Sequence, residues 1–216
     1  MSRILIIVFI NVMFSTGLFT QNSIRDKKDQ NFKIIKSFYT KDSPDEISFY
    51  RILQDSGSLY YTKGKAAFDA DGNVIQKIIK NKKISQNNLE KYIAKASKGR
   101  SLEIIKDSPK VIFIQLETRY NPEIFAKRKE ISKKIDDRLK VDNLGSSYGI
   151  DIGNNVVNME FEINDWNDAF SIILNILQKE KVLQHCIIGK RVYIEADDYL
   201  YEIVYPIDYE GEFYPF

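Results

Sequence analysis

The chain has very few of the residues that build covalent or metal-based frameworks. One cysteine, Cys186, and one histidine, His185, occur among 216 residues. A single thiol excludes an intrachain disulfide, so the folded chain must depend on burial of apolar side chains. Because neighbouring residues of a strand point to opposite faces, His185 and Cys186 are predicted to pack structurally and to form neither a metal site nor a catalytic pair.

Strong net charge is also missing. The formal charge is +2 and the pI is about 8.4, which is too mild for the concentrated basic surface that phosphate binding needs. No phosphate-binding loop, zinc-ligand spacing or dinucleotide fingerprint is present. Residues 69–73, DADGN, begin like a calcium loop but lack its later ligands, and so a hairpin turn is predicted there. The sequence therefore predicts no cofactor, no metal and no nucleic-acid partner.

Long apolar runs are missing except at the start. Arg3 precedes residues 4–14, an apolar run interrupted only by Asn11, and small or polar residues follow it. The run is shorter than the ~20 residues of a spanning helix, which favours a cleaved signal peptide over residues 1–21. The mature protein is then expected to be periplasmic or secreted, without stable membrane insertion after cleavage.

The clearest local pattern covers residues 148–177. In residues 156–163, apolar side chains alternate with Asn158, Glu160 and Glu162, which predicts a strand with one buried and one wet face. Gly153-Asn154-Asn155 predicts a tight turn from a preceding strand. Asp165 then predicts a helix N-cap, followed by apolar residues at helical spacing.

Residues 108–216 are predicted to form a ferredoxin-like βαββαβ sandwich with an extra C-terminal strand. Its first strand is the apolar run 111–116, and its first helix begins at Asn121-Pro122, with Phe125 expected on the buried side. Residues 22–107 are predicted to form an N-terminal α+β domain, an antiparallel meander followed by one helix capped by Ser85. Short strands are expected at 59–62 and 65–69, separated at Gly64, and another at 102–105 after the helix. The overall fold class is thus α+β, with the domain boundary at Asp107-Ser108-Pro109.

Charge is distributed unevenly. Residues 63–100 contain ten basic and three acidic residues, whereas residues 192–216 contain seven acidic residues and no basic one. Solvated faces, or attraction between the two halves, would account for this pattern. A surface that steers a basic protein partner, such as a toxin or an envelope protein, would also account for it, because acids there are interleaved with aromatic anchors. The predicted partner-binding residues are Glu195, Asp197, Asp198, Tyr199, Tyr201, Glu202, Tyr209 and Glu212.

The hairpin from Gly145, the MEFEI strand and the DWNDA helix start resemble sequences among the small α+β immunity proteins that bacteria make against toxins. The resemblance covers about the C-terminal half and implies a non-enzymatic protein that binds and blocks one cognate toxin. An exported bacterial binding protein, such as a periplasmic immunity or inhibitor protein, is therefore expected. Two alternatives stay open: a secreted hydrolase using carboxylates such as Glu160 and Glu162, and an envelope structural protein.

Overall fold

The part of the chain that the structure describes contains two antiparallel sheets and three α-helices, which confirms the predicted α+β class. The structure, a computed structural model, describes residues 32–119, 122–153 and 155–215. The predicted signal peptide, the start of the mature chain, Asn121, Asn154 and Phe216 lie outside these residues. Among the described residues, no helix combines the length and apolar character that crossing a bilayer requires.

The first sheet is a meander that is completed by the end of the chain. In spatial order it contains β1 (Lys33–Ser43), β2 (Glu46–Asp55), β3 (Ser58–Phe68), β4 (Val74–Ile84) and β10 (Gly211–Phe213). The sequence predicted two short strands separated by Gly64 where the structure has the single strand β3. Gly64 lies within β3 at a bulge, and a Cβ atom on it would come within 2.2 Å of the Phe49 ring. This glycine therefore allows close packing and does not end the strand.

Helix α1 (Leu89–Ser97) covers the outer face of the first sheet. Its buried Ala96 and half-buried Tyr92 and Ile93 join a cluster with residues of β1, β2 and β3. A 3-10 turn at Gln86–Asn88 precedes the helix, and Ser85 makes no side-chain capping bond, so the predicted cap is wrong. The strand expected at 102–105 is also wrong, because this segment is irregular and only Ser101 bridges to Tyr39.

The second sheet is formed by the remaining strands. In spatial order it contains β6 (Gly145–Gly153), β7 (Val156–Ile163), β5 (Val111–Glu117), β8 (Cys186–Tyr193) and β9 (Tyr199–Tyr205). Helices α2 (Pro122–Val141) and α3 (Trp166–Lys179) pack on one face of this sheet over a large apolar cluster. Asp165 caps α3 as predicted, accepting hydrogen bonds from the backbone N–H groups of Asn167 and Asp168. Phe125 is 40% exposed, and Ile124 takes the buried position expected for it.

The two sheets share a core. Buried side chains of the first sheet, including Phe49 and Val74, pack against Phe113 and Tyr201 of the second. Strand β10 pairs with β4, so the end of the chain belongs to the sheet of the N-terminal half. Strands β1–β4 lie before the predicted boundary near residue 108, and β5–β9 lie after it. Residues 211–213 come after the boundary but belong to the first sheet.

Candidate functional site

A cleft of about 390 Å³ opens where the two sheets meet. Its walls come from three places: the turn between β1 and β2, the end of β3, and the turn between β8 and β9. Pro215, near the end of the chain, closes one side of the cleft. The residues that line it therefore belong to both halves of the sequence.

The lining of the cleft is acidic and aromatic. Four carboxylates line it, and none of the described lysines and arginines does; the carboxylates are Asp45, Glu195, Asp197 and Asp198. Half-buried Phe68 and Tyr199 and buried Tyr201 supply aromatic rings. Carboxylates attract a cation, so this lining is suited to a positively charged group. The protein's own Arg191 guanidinium already lies 3.9 Å from the centre of the Tyr199 ring.

The β8–β9 turn that carries most of these acids has a defined backbone geometry. Both Ile194 and Glu195 donate their backbone N–H groups to the carbonyl oxygen of Asp198, at 2.8 and 3.2 Å. The acidic side chains of Asp197 and Asp198 remain exposed on this turn. The turn thus presents two adjacent carboxylates to solvent beside the cleft.

Two lysines pair with acids at the rim. Lys41 Nζ lies 2.8 Å from Glu195 Oε1, and this hydrogen bond lowers the pKa of the Glu195 carboxyl group. Lys65 Nζ lies 2.5 Å from Glu46 and 3.1 Å from Asp42. The side chains of both pairs are partly exposed to solvent, and exposed ion pairs of this kind contribute little to stability.

The structure places the predicted partner-binding residues in three settings: lining the cleft, exposed outside it, and buried, with the buried Tyr201 also contributing to the cleft wall. Glu195, Asp197, Asp198 and Tyr199 line the cleft, as does the ring of Tyr201, and Glu212 is exposed outside it. The prediction needs correction for three members. Tyr201, Glu202 and Tyr209 are 1%, 0% and 9% exposed, and so none of them forms an outer contact surface.

Glu202 is buried because it belongs to an internal ion-pair network. Its two carboxylate oxygens accept hydrogen bonds from Arg51 Nη1 at 3.1 Å and from the Tyr39 hydroxyl at 2.6 Å. Arg51 is itself fully buried and also donates to the carbonyl oxygens of Ile203 and Ile207. Burial, followed by the charge of Glu202, raises the pKa of the Tyr39 hydroxyl well above its usual value. This network joins the two sheets.

Glu160 is also buried, which corrects the expectation that one face of β7 meets water. Its carboxylate accepts hydrogen bonds from Arg191 at 2.5 Å and from the Tyr201 hydroxyl at 2.9 Å. Asn158 on the same face donates to the carbonyl oxygens of Tyr214 and Pro215, so the chain end covers this face. Glu162 alone of these polar side chains is exposed. Glu160 and Glu162 therefore do not form the paired acids that the hydrolase hypothesis needs.

The other residues singled out in the sequence lie in turns and at a strand end. Within the described ranges, no group of three or more His, Cys, Asp and Glu side chains could hold a metal ion. His185 ends a 3-10 turn, and the buried Cys186 begins β8 and donates its thiol to the carbonyl oxygen of Leu183 at 3.2 Å. The Asp69 carboxylate accepts from the backbone N–H groups of Asp71 and Asn73, which is hairpin-turn geometry.

The fold and the cleft together define an α+β protein with two joined sheets and an acidic, aromatic recess between them. The sequence matches no protein-family model, and searches of curated proteins and of solved structures find no significant similarity.

Proposed function

We propose that this protein is an exported bacterial binding protein, of the periplasmic immunity or inhibitor kind, that acts by protein–protein contact. The observation that carries the proposal is the acidic, aromatic cleft. Four of the residues proposed for the contact line this cleft: Glu195, Asp197, Asp198 and Tyr199. The opposite wall comes from the first half of the chain. A lysine or arginine of a basic partner matches this lining in charge and in its affinity for aromatic rings.

Electrostatic steering is the expected way in which the cleft acts. Six carboxylates and two lysines surround the cleft, so negative charge is in excess there. The carboxylates are Asp42, Asp45, Glu46, Glu195, Asp197 and Asp198, and the lysines are Lys41 and Lys65. A local excess of negative charge raises the association rate of a positively charged protein and makes that rate sensitive to salt. Glu160 and Glu202 are buried in internal ion pairs and so do not contribute to this charged surface.

A finer topological proposal accompanies the functional one. We infer that residues 111–193 form a ferredoxin-like sandwich. The strand order β6-β7-β5-β8, with both connecting helices on one face of the sheet, supports this inference. The resemblance of the β6–β7–α3 segment to bacterial immunity proteins favours the same functional class. Strand β9 then extends the sandwich, and its turn carries the acidic residues of the cleft.

The experiment is a capture followed by a kinetic comparison. The mature protein serves as bait for envelope extracts of the native host, and captured proteins are identified by mass spectrometry. Association rates of the purified partner are then measured for the wild type and for the variant E195K/D197K/D198K. At low salt the association rate of the variant should be lower by about tenfold or more. This rate should also depend less on salt concentration than that of the wild type.

A matched control separates local from global charge. The variant E90K/D151K/E162K changes the net charge by the same amount at exposed acids that do not line the cleft. It should associate at nearly the wild-type rate. Equal slowing in both variants would show that net charge matters and the cleft does not, and wild-type association by the cleft variant would overturn the proposed contact.

A further inference from the structure

The outer face of the first sheet, on the side where α1 packs, concentrates positive charge. Five cations, termed the basic face, lie around the rings of Tyr50, Tyr61 and Tyr92: Lys63, Lys80, Lys82, Lys95 and Arg100. The Arg100 guanidinium lies 3.5 Å from the centre of the Tyr50 ring, and Lys63 Nζ lies 5.3 Å from it. Lys95 Nζ lies 5.8 Å from the centre of the Tyr61 ring, and Lys82 Nζ lies 5.8 Å from that of Tyr92.

The strand register brings like charges of the basic face together. Lys63 of β3 stands opposite Lys80 of β4, and Lys82 stands opposite Tyr61. A hydrogen bond from Lys82, and the charges of Lys82, Lys95 and Lys80, lower the pKa of the Tyr92 hydroxyl, although desolvation opposes them. Like charges opposite each other in a sheet destabilise it. Repulsion among these lysines therefore opposes folding.

The basic face is not neutralised by acids of the protein. Of the ten basic residues in 63–100, Lys65 alone forms an ion pair with a described residue, and its partners are Asp42 and Glu46. Ion pairs between these basic residues and the acidic C-terminal region therefore do not account for the uneven charge pattern. The net charge of +2 conceals the local concentration because acids gather elsewhere, at the cleft. The basic face can thus meet an external anion.

Two features favour lipid headgroups over a nucleic acid as that anion. Proteins that bind single strands offer open aromatic rings on which bases stack, whereas Tyr50 and Tyr61 are 8% and 3% exposed and lie against cations. Ile79, the extra residue of the bulge in β4, is next to Lys80 and is 48% exposed. Lysines beside an exposed apolar side chain suit a bilayer interface, where ammonium groups meet phosphate and apolar groups enter the headgroup boundary.

We propose that the basic face binds the surface of a membrane that contains anionic phospholipid, as a peripheral contact without insertion. The acidic cleft lies towards the other end of β3: from Tyr61 to Phe68, which lines the cleft, the strand spans about 23 Å. An anionic surface attracts the basic face and repels the cleft, so the bound protein holds its cleft away from the lipid. The contact does not depend on what the cleft binds.

The test measures binding of the full chain to large unilamellar vesicles by co-sedimentation. One set of vesicles contains phosphatidylcholine alone, and the other contains equal parts of phosphatidylcholine and phosphatidylglycerol. At low salt the wild type should bind the mixed vesicles at least about tenfold more strongly than the neutral ones. High salt should remove this difference, because it screens exposed charges.

Charge-removing and charge-keeping variants locate the contact. The variant K80Q/K82Q/K95Q changes three exposed lysines and should bind the mixed vesicles about 100-fold more weakly, since each lysine near an anionic surface contributes about fivefold. The variant K80R/K82R/K95R keeps the charges and should bind like the wild type. The apolar run at residues 4–14 is the same in every variant, so any binding through it does not alter the comparison.

A matched control tests whether position matters. The variant K127Q/K129Q/K179Q removes three exposed lysines of α2 and α3, and its binding should change by less than about fivefold. Equal binding of the wild type to neutral and mixed vesicles would overturn the proposal, and so would wild-type binding by K80Q/K82Q/K95Q. A single-stranded oligodeoxythymidine serves as a second probe. Binding of this strand without binding of the mixed vesicles would show that the partner is a nucleic acid and that the membrane assignment is wrong.

Discussion

Gln76 of β4 and Ile203 of β9 are joined by hydrogen bonds in both directions. The side-chain oxygen of Gln76 accepts from the backbone N–H of Ile203 at 2.8 Å, and its amide nitrogen donates to the Ile203 carbonyl at 3.1 Å. Strand β9 is the last strand of the second sheet, so these backbone groups have no strand partner. A side chain of one sheet thus satisfies the open edge of the other, which protects that edge from pairing elsewhere.

We expect Q76L to lower the free energy of unfolding by about 2–3 kcal/mol, because the Ile203 N–H would be left buried and unbonded. Urea denaturation of the two proteins gives this difference. Gln86 is exposed, and Q86L should change stability by less than about 0.5 kcal/mol. Equal stability of Q76L and the wild type would show that the bidentate contact does not hold β9 in place.

The Arg51–Glu202 pair, with both side chains fully buried, should behave as a unit. Replacing either residue alone, as in R51M or E202M, leaves an uncompensated charge in the interior and should cost about 3–5 kcal/mol. The double variant R51M/E202M should be more stable than the sum of the single effects predicts. A double-mutant cycle measured by urea denaturation checks this, and strict additivity of the two effects would contradict the expectation.

The end of the chain should be as important for stability as an internal core strand. Phe213 is fully buried, and its ring centre lies 4.4 Å from that of Phe113 and 5.2 Å from that of Tyr201. F213A should cost about 3–5 kcal/mol, measured by thermal or urea unfolding. Tyr148 is 63% exposed, so Y148A should cost far less. A small effect of F213A would mean that the tail is dispensable for the core.

Asp136 should contribute stability that depends on pH. The hydrogen bond from Lys140 lowers the pKa of its carboxyl group, and the backbone N–H of Ser147 at 2.7 Å lowers it further. A carboxyl group whose pKa is lower in the folded than in the unfolded chain stabilises the fold above the unfolded value of about 3.9, and this contribution is lost as the pH falls through the folded value.

The unfolding free energies of the wild type and D136N should therefore differ most near neutral pH and converge as the pH falls below the lowered pKa of the folded protein. Urea denaturation across this pH range measures the difference. The exposed Asp151 on β6 offers a control in D151N. A difference between the wild type and D136N that stays constant down to the lowest pH would contradict a role for the ionised carboxylate.

Local signals in the sequence predicted much of the fold. Asp165 could be identified as a helix cap because capping depends on the next three residues, and the alternation in β7 depends on its own side chains. Glu160 illustrates the limit. The alternation correctly places Glu160 on the polar face of β7. Its burial, however, depends on Arg191 and Tyr201, which lie thirty or more positions away in sequence.

The candidate site shows the same limit. The acidic run near residue 195 indicated the β8–β9 turn, yet composition could not distinguish Asp198, which is exposed, from Glu202, which is buried against Arg51. Asp45 and Phe68 complete the cleft from the first sheet, and nothing in their local sequence indicates that they lie beside the β8–β9 turn. The sequence predicts a strand break at Gly64 because glycine often marks one. The contact that explains this glycine, the Phe49 ring packed over it, is made only in the folded chain.

Strand β10 places a constraint on the order in which the molecule can be completed. Residues 211–213 pair with β4, and so the sheet begun by the earliest strands receives its last member from the end of the chain. Until residues 211–213 have been synthesised, a nascent chain holds β4 with one side unpaired. The first sheet can therefore be completed only after every strand of the second sheet has been synthesised.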